Sequence, residues 1–537
     1  MKTALSFLIT AAFLWAAAPS PDVPLGDPVY PFLDQLAVRH GLDLKNLYSR
    51  PVSRASVAKL LSLAHLKARD GSLKLSRVEK ENLAYFRAEF SFELKSLEPD
   101  APYLERHIYS FNDSALQDYL AVDLGFRDSS EYFGRNGGAL TSGCFYGGIR
   151  GDVRGMLAFM NRIEVSSEAN TDKVYWMSDY NPVNGYPYNT FQDTGWVNKK
   201  SWDTFIAGVF FENRLFSAEL GVDKLRWGPG EHNALSLSGE TPPLGLLKLE
   251  TDFWKVHYTQ SIGILKGERY LDKYMFAHRL EFHLPHGMTA GVNEVLVYGD
   301  NAHDGDTSNI GSRFGARSLD YIYGIPFIPY YFSQHFNGDR DNMTLSMDFS
   351  ARPAPGLKLY MELFLDDMIS PLSFFDDQWS NKWAATLGGH YYFPTEKNDL
   401  SLLAEYTHVE PWVYTHFFGE SHRYRHYGQS LGTSVGPDGD EVYVDLNFKP
   451  SRRISLDLSG RNQRQGVGRP GDLITDIHHA ADPLTKSFLG GEVRTTRALG
   501  LRANLEITRL LNIRIAAEQA FLGSNSLTLS ATVDAYW

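Results

Sequence analysis

Several stretches of this 537-residue sequence hold residue types that chemistry uses. Gly432-Thr433-Ser434-Val435-Gly436 matches G-x-S-x-G, the turn that lifts a nucleophilic serine in many hydrolases. That turn must join a strand to a helix in an α/β sheet, whereas here it falls in a loop between two strand-like segments, so it reads as a chance match. Asp366-Asp367 and Asp376-Asp377 supply the carboxylates that glycoside hydrolysis uses in facing pairs. Neighbours on a strand point to opposite faces, so neither doublet forms such a pair alone. His422 and His426 are four apart with no helix or third ligand evident for zinc. Asp300, Asp304 and Asp306, and then Asp438, Asp440 and Glu441, offer oxygens suited to Ca²⁺ without the spacing of an EF-hand. The reading is of a protein that is not an enzyme and carries no cofactor or metal.

Binding is better provided for. Sugars present hydroxyls to planar hydrogen-bonding groups and CH faces to aromatic rings. Loop 164–202 carries Tyr175, Trp176, Tyr180, Tyr186, Tyr188, Phe191 and Trp196, and loop 299–341 carries Tyr321, Tyr323, Phe327, Tyr330, Tyr331 and Phe332. The bland alternative is that these rings pack a lid or an interfacial girdle. Arg226-Trp227-Gly228-Pro229-Gly230 reads as a tight bend at the outer end of a strand, where Arg226 and Trp227 could cradle a sugar acid. Arg226 paired with an interior carboxylate is an equal reading. The glycan-binding candidates are therefore Arg226, Trp227, Tyr175, Trp176, Tyr186, Tyr188, Trp196, Tyr323, Tyr330 and Tyr331.

The elements that must position them follow from hydropathy. Met1-Lys2 precedes an apolar run from Ala4 to Ala18 and then small residues and prolines, the layout of a secretory signal with cleavage expected between Ala16 and Ser20. A formal charge of −12 removes the attraction to phosphate backbones that nucleic-acid binders rely on, and the single Cys144 allows no internal disulfide. Residues 27 to about 95 read as helices: Asp27-Pro28 and Gly41 bracket the first, Ser53 caps the second, and the capping box Ser76-x-x-Glu79 opens the third.

From residue 118 the apolar period is two. Leu120, Val122, Leu124 and Phe126 alternate with Tyr119, Ala121, Asp123 and Gly125, and Ala503, Leu505 and Ile507 alternate with Arg502, Asn504, Glu506 and Thr508. Arg279, Glu281 and His283 alternate in the same way with Leu280, Phe282 and Leu284 and are expected to pair in the interior. Eighteen such segments follow one another, joined alternately by tight turns and by mostly long loops at 164–202, 299–341, 367–381, 409–440 and 461–488. Short turns on one rim and long loops on the other describe an outer-membrane barrel. The expected fold is an all-β transmembrane barrel of about 18 antiparallel strands with a small N-terminal periplasmic helical region. Its parts are a signal peptide over 1–20, a helical region or plug over 21–117 and the barrel over 118–537.

Arg226 to Gly230, Asn233 to Ser238 and Pro242-Pro243 together resemble the glycine-rich signature of the Wzi-type capsule assembly family. So do Lys273 to Glu281, Asp341-Asn342, Leu365-Asp366-Asp367, Glu405-Tyr406-Thr407, Tyr414-Thr415-His416, Tyr427 to Gly432 and Gly436 to Asp440. Tyr30-Pro31-Phe32-Leu33-Asp34 and Arg50 to Arg54 are similar to the family's helical lead. The resemblance implies an 18-stranded outer-membrane barrel that binds exported polysaccharide and anchors or organises capsule at the cell surface. The partners expected are surface or capsular polysaccharide, outer-membrane lipid, and the barrel-insertion machinery through a C-terminal strand ending in Trp537, with no nucleic acid. A porin-like channel for small solutes is the alternative, since about eighteen strands leave a lumen wide enough for water.

Overall fold

A computed structural model describes residues 19–43, 45–113, 118–134, 138–170, 190–193, 198–267, 272–299, 318–367, 375–521 and 526–536. The expected signal segment, which ends at Ser20, falls almost wholly outside them.

The helical starts follow their capping residues. Asp27 accepts the Val29 N–H at 2.9 Å ahead of α1 (Val29–His40), and Gly41 ends that helix in the left-handed region at φ 65°. Ser53 caps α2 (Arg54–Arg69) by accepting from Ser56 N–H. At α3 (Arg77–Glu89), Ser76 Oγ accepts the Glu79 N–H at 3.0 Å and the Glu79 carboxylate accepts the Ser76 N–H at 2.7 Å, which closes the capping box. With the one-turn α4 (Ser91–Leu94), these helices close their apolar faces on one core that includes Leu33, Leu36, Leu61, Leu83 and Phe86.

Eighteen strands then form the wall: β1 Asp118–Phe133, β2 Gly138–Val153, β3 Leu157–Asn170, β4 Asn198–Glu212, β5 Ser217–Asp223, β6 Leu244–Phe253, β7 Val256–Lys266, β8 Asp272–His283 and β9 Thr289–Gly299. They continue with β10 Asn342–Ala354, β11 Leu357–Asp367, β12 Lys382–Tyr392, β13 Asp399–Val409, β14 Gly439–Ser451, β15 Ile454–Val467, β16 Glu492–Thr508, β17 Leu511–Ala520 and β18 Ser526–Tyr536. Each pairs antiparallel with its neighbours, and β18 returns to β1 with Thr528 opposite Phe133, so the sheet has no open edge. Short strands at Tyr109–Asp113 and Thr190–Asp193 add to β1 and β4. The strands correspond one to one with the segments of alternation, although β3 and β4 run several residues further into the loop between them.

One rim has tight turns. Arg154 and Gly155 both take positive φ, and the Asn213 side chain accepts the N–H groups of Leu215 and Phe216 at 2.7 and 2.9 Å. Outward positions are apolar and open, with Phe145 69 % and Leu220 66 % exposed, and a bilayer is the medium that suits such a band. Inward positions are polar and paired: Arg279, fully buried, donates to Asp348, Asn293 and Ser49 and lies 3.4 Å from Glu281.

The helical region sits inside the mouth at the tight-turn rim. Its side chains pair with lumen-facing residues around the wall: Glu105 with Arg150 of β2, Asp22 with Lys248 of β6, Ser49 with Glu281 of β8, Asp34 with Lys358 of β11 and Arg39 with Asp399 of β13. Because both members of each pair leave water together, these contacts fix the orientation of the plug more than they stabilise it.

Candidate functional site

Residues 224–243, between β5 and β6, turn into the lumen and do not stay at the outer rim as expected. Glycine permits the turn. Gly228 has φ 102°, and a Cβ there would collide with Glu362 Oε1. Interior carboxylates then hold the segment by its backbone. Glu362 of β11 accepts the N–H groups of Gly230 and Leu235 at 3.0 and 2.9 Å. Glu405 of β13 accepts those of Glu231, His232 and Asn233 at 3.1, 3.1 and 2.7 Å, and the Tyr360 hydroxyl as well. Below them Lys358 bridges Glu231 at 2.6 Å and Asp34 at 3.1 Å, which joins the loop to the plug.

Arg226 and Trp227 are consumed by this architecture. The Arg226 guanidinium donates to the carbonyls of Ser238, Gly230 and Glu231 at 2.9 to 3.2 Å. Trp227 is 1 % exposed, and its short strand Arg226–Trp227 pairs with Ser49–Arg50 of the plug. Neither offers a face to a glycan, because the turn needs the one and the core needs the other.

Loop 410–438 enters beside the first. Tyr414 and Tyr424 donate their hydroxyls to the carbonyls of Leu235 and Ser236 at 2.8 and 2.9 Å, and their rings join Trp227, Leu235 and Leu237 in a lumenal core. Gly432 and Gly436 bracket a bend of this loop, with Gly432 packed against Tyr414, so the G-x-S-x-G match is a loop element without a strand-turn-helix. His426 accepts the Lys266 N–H at Nδ1 and donates from Nε2 to the Pro243 carbonyl, and burial pushes its pKa down to about 3. Burial also holds His416 well below the ordinary range. His422 donates no nitrogen to a common point with His426, since its ring faces Ser421 and Asp341. Asp366 points inward and accepts the Tyr414 N–H at 2.6 Å, and Asp367, past a register shift in the strand, lies 3.9 Å from Lys382.

The aromatic loops fare differently. Tyr175, Trp176, Tyr186, Tyr188 and Trp196 lie outside the described residues. Residues 318–341 fold down the outer face of the wall over β7, β8 and β9, where Tyr323 and Tyr330 are fully buried against Phe276, Leu296 and Tyr298. Tyr331, in the helix α5 (Tyr330–Phe336), keeps a ring 51 % exposed. Tyr323 and Tyr330 thus seal a lid and present no face to solvent.

Sequence reasoning passed over another surface. Along β14 to β18 and on to β3, the lumenal side chains stay partly open. Arg461 and Glu518 meet at 3.4 Å with side chains 35 % and 53 % exposed. Arg502 and Arg514 are exposed, and Arg514 reaches Asn504 at 3.0 Å. Tyr146 donates to Asp534 at 2.7 Å beneath the Arg162 guanidinium, and Tyr443 stacks on His232 with ring centroids 3.6 Å apart. The alternation that put Arg502 and Asn504 opposite Ala503 and Leu505 was the available signal.

A closed, even-stranded barrel with an apolar exterior, whose lumen holds a helical plug and two loops among the described residues, defines an outer-membrane protein. The family model for the capsule assembly protein Wzi matches residues 158–537, and the chain belongs to that family. It is similar to the solved structure of Wzi from Escherichia coli, an outer-membrane protein involved in group 1 capsule assembly and a carbohydrate-binding β-barrel. Identity is 12 %, the TM-score is 0.59, and the match covers 96 % of this chain and 99 % of that one. OprD from Pseudomonas aeruginosa is also similar, at 11 % identity and TM-score 0.42 over 78 % of this chain and 94 % of the other. No curated protein matches the chain.

Proposed function

We propose that this barrel binds exported polysaccharide without chemically altering it and so helps anchor or assemble capsule at the cell surface. One observation carries the reading of where: the partly open lumenal wall that combines Arg461, Arg502 and Arg514 with Tyr146, Tyr443, Asn504 and Asp534. Guanidinium groups pair with sugar carboxylates, and phenol and amide groups hydrogen-bond sugar hydroxyls. The best catalytic-looking residues are spent on structure, as Asp366 is on the Tyr414 N–H. The apolar exterior suits outer-membrane lipid, and β18, which closes the barrel against β1, is the segment suited to the insertion machinery.

The test is binding of the host's extracted surface polysaccharide to detergent-folded protein, with an unrelated outer-membrane barrel as control. Saturable binding that weakens about tenfold in Arg502→Ala or Arg514→Ala, roughly the 1.4 kcal/mol of one charge-assisted hydrogen bond, is expected. Binding no stronger than the control removes the reading. Binding unaffected by either substitution removes its location.

A further inference from the structure

Where the N-terminal segment meets the wall, three carboxylates converge. Asp22 of the plug, and Glu219 and Asp223 two turns of the pleat apart on β5, each place a carboxylate oxygen within 4.8 Å of the others, and all three are buried. Asp22 is held rigidly: it forms a bridge with Ser53, and the flanking Val23 N–H and Arg54 N–H donate to the carbonyls of Val52 and Pro21 at 2.9 Å.

Charge does not balance there. Lys248 is the cation in the cluster; its ammonium donates to Asp22 and to the Pro51 carbonyl and lies 3.4 Å from Glu219 and 3.7 Å from Glu250. Three carboxylates thus contact one ammonium, Asp223 stands beside them with Lys224 as a further cation acting on it, and His257 is engaged by Glu250 and Asp252. Both Glu219 oxygens are buried and accept no hydrogen bond among the described residues. A second group, Asp34, Glu231 and His390, has the same spacing but only two carboxylates for its one ammonium, Lys358 contacting both at 3.1 and 2.6 Å.

We propose that Asp22, Glu219 and Asp223 bind a divalent cation that latches the N-terminal segment to the barrel wall. Three carboxylate oxygens within 4.8 Å of one another suit Ca²⁺, which takes oxygen ligands at about 2.3–2.6 Å, accepts irregular geometry and completes its shell with water. The cation supplies the positive charge that Lys248 alone does not, and it ties residue 22 to a strand some 200 positions later in the chain.

The experiment uses full-length protein refolded without lipopolysaccharide, whose own phosphates bind divalent ions, and stripped with a chelator. Calorimetric titration with Ca²⁺, and Tb³⁺ luminescence sensitised by Tyr30, whose hydroxyl donates to the Val23 carbonyl at 2.7 Å, read occupancy. One saturable equivalent is expected, weakened at least tenfold by Glu219→Gln or Asp223→Asn and unchanged by Asp34→Asn. Lys248→Met, which removes the competing ammonium and leaves every carboxylate, is expected to bind more tightly, and it decides the matter should the carboxylate variants fail to fold. No saturable binding, equal binding by Glu219→Gln, or weaker binding by Lys248→Met overturns the proposal; in the first case the cluster is neutralised by protons.

Discussion

The carboxylate of Glu405 on β13 accepts the backbone N–H of Asn233 at 2.7 Å, across 172 positions of sequence, and with the N–H groups of Glu231 and His232 this makes an anion-binding bend whose anion is the barrel itself. Removing the carboxylate leaves three inward N–H groups without their acceptor. Glu405→Ala is expected to cost about 3 kcal/mol, the order for a buried charged hydrogen-bond partner. The loop should then leave the lumen. Wild-type protein in planar bilayers should be silent and Glu405→Ala should conduct. Large steady steps from wild type would show that the loops and plug do not obstruct the lumen.

Two glycines separate backbone strain from crowding. Gly436 has φ 76° and open space within 4 Å of where a methyl would sit, so Gly436→Ala should lose only the left-handed penalty of about 1 kcal/mol. Gly228 has φ 102° and would drive a methyl into the Glu362 carboxylate, which holds the Gly230 and Leu235 N–H groups. Gly228→Ala should cost about 3 kcal/mol or more and disturb the same loop. Denaturant midpoints by heat-modifiability on gels read both; equal losses would mean that the contact with Glu362 carries no weight.

His426 supplies a pH dependence with a definite sign. Its folded pKa of about 3 lies below the ordinary 6.5, because burial disfavours the imidazolium. Between these values the released loop binds a proton that the docked loop does not, so docking is strongest above pH 6.5 and weakens as pH falls toward 3, at up to about 1.4 kcal/mol per unit. Hydrogen exchange over residues 410–438, corrected for intrinsic rate, should rise across that window in wild type and rise less in His426→Gln. Parallel profiles would assign the change to other groups.

The wall was readable because lipid outside and water or plug inside impose alternation on every strand, and Leu499, Leu501 and Leu505 declare one face without reference to anything distant. Capping was readable for a similar reason, since Ser76 and Glu79 need only each other. The course of residues 224–243 was not. Its glycines announced a bend, but its direction is set by Glu362 and Glu405, each more than 120 positions away. Trp227 looked like a sugar-stacking ring because type and exposure are separate properties, and its pairing with Ser49 and its packing with Leu235, Leu237, Tyr414 and Tyr424 bury it. The same holds for Tyr323 and Tyr330, whose cover is the outer wall.

That outer cover answers to a clear physical demand. Lipid cannot satisfy irregular backbone, so a segment laid against the membrane face of a barrel needs partners from the wall. The wall provides them at outward positions that break the apolar pattern: Glu294 accepts the Tyr330 N–H at 2.7 Å, the Tyr258 hydroxyl accepts the Phe327 N–H at 3.2 Å, and Gln260 donates to the Tyr323 carbonyl at 3.4 Å. His278, 2.8 Å from Glu294, completes the group under the Tyr330 ring. The far side of the segment exposes Tyr321, Phe327, Phe332 and Phe336. If those rings contact acyl chains, a tryptophan at Phe332 should be quenched by brominated lipid as strongly as one at outward Leu501, whereas one at buried Tyr323 should not. The many native tryptophans are subtracted using wild type in the same vesicles. Glu294→Leu should then release the segment and raise proteolysis between residues 318 and 341, with the barrel remaining folded. Quenching absent at Phe332 but present at Leu501 would place the segment, with Glu294 and His278 beneath it, above the bilayer.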